Sequence, residues 1–181
     1  PGNIAPLLES LQEAKLGSVE FTTETVHFTP QQHPSNPLIR VPSTWTIGEV
    51  MGILTLPMAG GVIEGKVQLT GPTHAAHRTS VSHIAEGLLP MLDRRGARSY
   101  VETRRWGARG EALLEVRPPL AALRPANLRL PGDIVEVRAL VTCNPSRAKE
   151  GKKLEEAVET HLHEEGLHFP EAECHEEPSW N

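Results

Sequence analysis

Residues Lys66 to Leu92 read KVQLTGPTHAAHRTSVSHIAEGLLPML. Two periodicities meet in this stretch. At its start, Val67 and Leu69 alternate with Lys66 and Gln68, the period of two that marks a strand with one buried face. Further on, Val81, Ile84, Ala85, Leu88, Leu89 and Leu92 fall on one stripe, as in an amphipathic helix. The reading is a strand over Val62–Thr70, a polar turn opened by Gly71-Pro72, and a helix that Gly96 closes. A strand that hands over to a helix is the elementary step of an alternating design.

The same alternation extends in both directions. Downstream, strands are expected at about Arg98–Thr103 and Ala112–Val116, before Pro118 and Pro119 break the chain. Upstream, Ile47, Val50, Met51 and Leu54 give a second helical stripe, with Ser43 or Thr44 as its cap and Gly60-Gly61 as its stop. Leu38–Val41 reads as a short strand ended by Pro42. Earlier still, Val19 with Phe21 and Val26 with Phe28 alternate with polar residues and predict two short strands. The stretch from Thr29 to Pro37 reads as a loop. Beyond the prolines, Ile134–Thr142 predicts a strand and Leu154, Ala157, Val158, His161 and Leu162 a helix. Gly166 ends that helix, and Leu167–Ala172 returns as a strand.

The fold class that follows is α/β (α+β). Strand-helix-strand-helix-strand-strand units repeat, and helices pack on one face of the sheets. One full repeat is expected at 38–118, within a first region of 1–119. Residues 120–181 are expected to begin a further repeat and to end in an acidic tail.

Composition narrows the function. The 181 residues carry a formal charge of −5 and 4% aromatic residues. An overall acidic chain is no general electrostatic partner for nucleic acid, so any RNA contact must rest on a local basic patch. Charge is uneven: Arg94, Arg95, Arg98, Arg104, Arg105 and Arg109 crowd one stretch, and the segment from Glu155 to Glu177 is acidic. Cys143 and Cys174 make no disulfide framework and suit a reduced, cytoplasmic setting. No apolar run approaches the roughly 20 residues of a membrane span. No signal peptide is visible at the start. Pro1 stands where a Met would begin a chain, so the expectation is either a removed Met or a piece of something longer.

Several segments, in order, resemble the RNA 3′-terminal phosphate cyclase family. Lys15-Leu16-Gly17-Ser18 and the strand after it are similar to that family's Glu-Leu-Gly-Ser strand. Leu69-Thr70-Gly71-Pro72-Thr73-His74 resembles its Gly-Gly-Thr-Asp turn, and Leu88-Leu89-Pro90-Met91-Leu92 the end of the helix that follows. Arg104-Arg105-Trp106-Gly107 through Glu115-Val116-Arg117-Pro118 resembles its Arg-rich turn and closing strand. Pro131-Gly132-Asp133-Ile134-Val135 resembles the strand opening its next repeat. The resemblance implies a fold shared more distantly with enolpyruvyl transferases. It implies ATP-dependent conversion of an RNA 3′-phosphate to a 2′,3′-cyclic phosphate through an adenylate on a histidine, with RNA 3′ ends as partner. ATP and Mg2+ are implied by the family alone.

The departures concern the chemistry. The family's Glu-Gly-Gly-Gly-Gln segment and its adenylated histidine segment have no counterpart. Val50 stands near the place of a nucleotide-contacting Gln, and a Gly-Gly-Gly turn is reduced to Gly107 and Gly110. No catalytic residue is carried over. A partner chain or a homo-oligomer is expected to supply missing segments if the chain is active.

Two clusters are candidate phosphate or RNA sites. In 71–80, His74, His77 and Arg78 precede a helix, whose free N–H groups attract anions; the plainer reading is a loop capped by Thr79 or Ser80. In the second, Arg104, Arg105 and Arg109 flank Trp106, the mix of cations and a stacking ring that single-strand binders use. The plainer reading there is a solvated edge, with Trp106 packed on a neighbouring repeat. His161, His163, His168, Cys174 and His175 match no zinc spacing, and no metal site is expected. Two further functions stay open: a non-enzymatic RNA-processing or scaffold module on this fold, and an enolpyruvyl-transferase-like enzyme. The second of these needs basic residues from two lobes, and only one basic cluster is evident.

Overall fold

A computed structural model describes residues 4–22, 25–31, 36–120, 140–143, 145–164 and 173–176. The contacts divide the chain into two units, Pro1–Ala126 with Asn181, and Asn127–Trp180.

The first unit contains a helix that the sequence reading did not place, α1 (Ala5–Glu13), with Pro6 in its first turn and Leu7 and Leu11 buried. A proline suits a first turn because its missing N–H has no helical partner there. An antiparallel hairpin follows, β1 (Gly17–Phe21) and β2 (Val26–Pro30), which pairs Val19 with Phe28 and Phe21 with Val26.

The next six elements realise the alternating pattern. They are β3 (Leu38–Arg40), α2 (Ile47–Ala59), β4 (Lys66–Gly71), a composite helix, β5 (Arg98–Arg105) and β6 (Gly110–Arg117). The sheet order is β3-β4-β6-β5. β3 and β4 are parallel, as a helical crossover requires, and β4-β6 and β6-β5 are antiparallel. Residues of alternate parity form the core side: Ile39, Val67, Leu69, Ala112, Leu114 and Val116 are buried against the helices. The opposite parity carries Arg40, Lys66, Gln68, Glu111, Glu115, Arg117, Arg98 and Tyr100. Val62 lies outside β4 and is 60% exposed, so the strand starts later than its apolar run suggested.

Helix α2 is capped by Thr46 rather than by Ser43 or Thr44. The amide of Trp45 bonds the Pro42 carbonyl at 2.9 Å, which makes 42–45 a turn. Thr46 then forms a capping box: its Oγ1 accepts the Glu49 amide at 3.1 Å, and the Glu49 carboxylate accepts the Thr46 amide at 2.9 Å. Ile47, Val50, Met51 and Leu54 are buried, as their spacing predicts.

The composite helix runs as α3 (Val81–His83), a π-helical turn over Ile84–Leu88, and α4 (Leu89–Asp93). Pro90 lacks an amide, and its ring crowds the carbonyl one turn back. The wider turn relieves this, and the Leu89 amide bonds the Ile84 carbonyl five residues earlier. Widening moves the inward position on by one residue. Ile84, Leu89 and Leu92 are therefore buried, whereas Leu88 is only half-buried.

In the second unit, β7 (Leu140–Cys143) and β8 (Glu173–Glu176) are parallel and joined through α5 (Ala148–Glu164). This repeats the strand-helix-strand opening of the first unit's full repeat. On α5 only Gly151 is buried, and Leu154 is 55% exposed. The expected strand at Leu167–Ala172, the Gly166 stop and the first part of the Ile134 strand lie outside the described residues.

Candidate functional site

The loop 72–80 and the turn 106–109 meet at one end of the four-stranded sheet. β4 ends at Gly71, which lies in register with Gly110 at the start of β6. Thr73, fully buried, joins the two segments. Its amide donates to the Gly107 carbonyl at 3.0 Å, and its Oγ1 accepts the Gly107 amide at 3.0 Å. A Cβ on Gly110 would overlap Thr73 Cγ2, so only glycine fits beneath that side chain.

Helix α2 braces the same end. The Ile47 amide donates to the Pro72 carbonyl at 2.7 Å, and Thr46 Oγ1 donates to the Thr79 carbonyl at 2.5 Å. Gly48 is needed here too, because a Cβ would overlap the Ser80 backbone. At the start of α3, the Ser80 hydroxyl accepts the His83 amide at 3.2 Å, and the Val81 amide bonds the Thr73 carbonyl at 3.2 Å. Both helix starts are thus capped from within the chain.

The candidate side chains divide by what they already touch. Arg78 is paired with Glu49, its Nη1 reaching the two carboxylate oxygens at 3.1 and 3.2 Å. Arg104 lies between Glu102 at 3.3 Å and Glu111 at 3.7 Å. Arg105 and Arg109 are exposed and form no ion pair among the described residues. Trp106 is half-buried between them in sequence. His77 is exposed and adopts φ 58°. His74 Nδ1 lies 2.9 Å from Thr73 Oγ1. Partial burial of its ring lowers the His74 pKa below the usual imidazole value, so it is neutral at pH 7 and offers a hydrogen bond rather than a charge.

A bulge sets the direction of the arginines. The β5-β6 register shifts between Thr103 and Arg105, leaving Arg104 as the extra residue. Arg105 comes opposite Glu111, on the parity of the open face, and Arg104 also reaches Glu111. Strict alternation would have sent two successive arginines to opposite faces.

Sequence reasoning chose both loops but gave no structural role to Thr73, Glu49, Gly110 or Gly48. The Thr46-Glu49 capping box was legible in its spacing. Thr73 had no local signal, because its partners lie on the other turn.

An open groove of about 440 Å³ runs beside this end, lined by Trp45, Gly52, Ile53, Ile84, Leu88 and Met91 among others. Among the described residues no three His, Cys, Asp or Glu side chains are grouped to hold a metal. His161 and His163 lie on α5, Cys174 and His175 in β8, and His168 is outside the described residues. No described helix is long and apolar enough to cross a membrane.

A comparison with individual curated proteins finds no match. The sequence model described as RNA 3′-terminal phosphate cyclase matches residues 3–169, nearly the whole chain. With the βαβαββ repeat and the two joined loops in place, the chain belongs to the RNA 3′-terminal phosphate cyclase family.

Proposed function

We propose that this chain recognises the phosphorylated 3′ end of a single-stranded RNA, as an RNA 3′-phosphate cyclase-like protein. Membership of the family implies an RNA substrate and ATP use. The observation that carries the reading is the Thr73–Gly107 link, which holds the loop of His74 and His77 against the turn of Arg105, Trp106 and Arg109. Unpaired arginines beside an indole suit a terminal phosphate and the base next to it. Arg78 and Arg104 play a smaller part, because carboxylates already match their charge. ATP-dependent closure of the 2′,3′-cyclic phosphate remains the family's activity, and no residue here is assigned to it. A non-enzymatic RNA-processing module is the second reading, favoured by the carboxylates that neutralise two of the four candidate arginines.

The test is a titration with 3′-phosphorylated single-stranded RNA at several salt concentrations. Replacing Arg105 and Arg109 with Ala should reduce the log–log salt slope by about 1.4, at roughly 0.7 per lost contact. Trp106→Ala should weaken binding by about 1–3 kcal/mol and leave the slope alone. An unchanged slope in the double variant, with the fold intact, ends the RNA-end reading. Incubation with labelled ATP separates the two readings of activity: a protein-bound label supports the enzyme, and its absence supports the non-enzymatic module.

A further inference from the structure

The opposite end of the same hairpin carries a second basic group. β5 begins at Arg98, which lies in register with Arg117 at the end of β6. Like charges directly opposite in a sheet are destabilising. One carboxylate stands between the cations on this side, and it is shared: Glu115 takes Arg117 at 2.6 Å and Lys66 at 3.6 Å. Asp93 is occupied elsewhere, its Oδ1 accepting both the amide and the hydroxyl of Ser99 at 2.8 Å. That bond folds 93–99 into a tight loop bearing Arg94, Arg95 and Arg98. None of these three has an ion pair among the described residues.

The ordinary use for arginines at such a place is to complement a helix C-terminus. Here the chain itself does that work. The carbonyls of Pro90, Leu92 and Asp93 receive the amides of Arg94, Arg95, Gly96 and Ala97. The guanidinium groups of Arg94, Arg95 and Arg98 are left without a structural task, and Arg98 stands opposite Arg117, whose charge Glu115 matches.

Between the two basic ends runs the edge strand β5. Its open-face parity carries Tyr100, which is 52% exposed. Seven residue steps separate Arg98 from Arg105, about 23 Å at the usual rise of a strand. We infer that Arg94, Arg95 and Arg98 form a second phosphate-contacting site, which holds the body of the single-stranded RNA whose 3′ end lies at the turn. Tyr100, two residue steps along β5 from Arg98, offers a stacking surface for a base. This rests on the RNA-end reading above and adds the direction of the strand, along β5 and away from the turn.

The experiment uses the full chain with a 3′-phosphorylated uridine dinucleotide and the matching dodecamer. The dinucleotide cannot span the two ends. The wild-type chain should bind the dodecamer more tightly and with a steeper salt slope. Replacing Arg94, Arg95 and Arg98 together with Gln should remove most of that gain and lower the dodecamer slope by about 2, at roughly 0.7 per contact. Dinucleotide binding should stay unchanged. Arg98→Lys should keep the slope, which separates lost charge from damaged fold. The inference is overturned if the triple variant keeps the full length-dependent gain, or if the wild type gains nothing with length. Failure of the wild type to bind either probe would instead overturn the RNA-end reading on which it stands.

Discussion

The two ends of the four-stranded sheet are built on opposite principles. At the turn end, the segments fit closely: Thr73 bonds Gly107 through its amide and its hydroxyl, Gly110 lies beneath Thr73, and Gly48 beneath Ser80. Its position is set by steric fit and buried hydrogen bonds. At the far end, long side chains stand in solvent, and like charges face each other across β5 and β6. Little there depends on a close fit. One end therefore suits the geometric recognition of a single terminal group. The other suits a contact that needs charge but no fixed orientation.

The largest expected effect asks whether the far end is loose beneath its surface as well. It should not be. Leu89→Ala, on α4, should cost about 2–5 kcal/mol in urea denaturation, the range for a buried leucine. Leu88→Ala should cost clearly less, because the π turn leaves Leu88 half-buried. A reversed ranking breaks the account of that turn.

Gly110→Ala should cost about 1–3 kcal/mol, as overpacking does, because the new methyl meets Thr73 Cγ2. If thermal melts place this variant within about 0.5 kcal/mol of the parent, as for a surface site, the turn end is not closely fitted. Thr73→Val keeps the shape and removes the hydroxyl. The buried Gly107 amide then loses its acceptor, at about 1–3 kcal/mol. Retained protection of that amide from hydrogen exchange would show that the link does not depend on Thr73 Oγ1.

At the far end the sign changes. Arg98→Gln should be neutral or stabilising by up to about 0.5 kcal/mol, most clearly at low salt, because it relieves the opposition to Arg117. A destabilisation of more than about 1 kcal/mol would mean that Arg98 has a structural role. The smallest effect belongs to His74. Its pKa is lowered on folding by partial burial, so below the ordinary imidazole value of 6.5 the unfolded chain binds more protons than the folded one. Stability should fall as pH drops below that value and stay flat above it. His74→Gln should remove that part of the slope, and a pH profile identical to the parent's would rule the contribution out.

Most of the element order was legible in the sequence. Ile47, Val50, Met51 and Leu54 could be read as one helical face, and Val67 and Leu69 as one side of a strand, because burial repeats with the period of the backbone. The two candidate loops were legible for a similar local reason: Gly, Pro, His and Arg cannot continue the apolar stripes on either side. Local pattern allowed α2 to be capped at Ser43 or Thr44 as well as by the Thr46–Glu49 spacing, and the turn over 42–45 decided for Thr46. Local pattern could not say that a π turn passes burial from Leu88 to Leu89, since helical periodicity assumes an even turn. The tertiary structure alone decided which charges are matched. Glu49 reaches Arg78, Glu111 reaches Arg104 through a bulge, and Arg98 faces Arg117, all across gaps that strand register sets. Register arises from packing summed over a whole sheet, so no short stretch of sequence contains it.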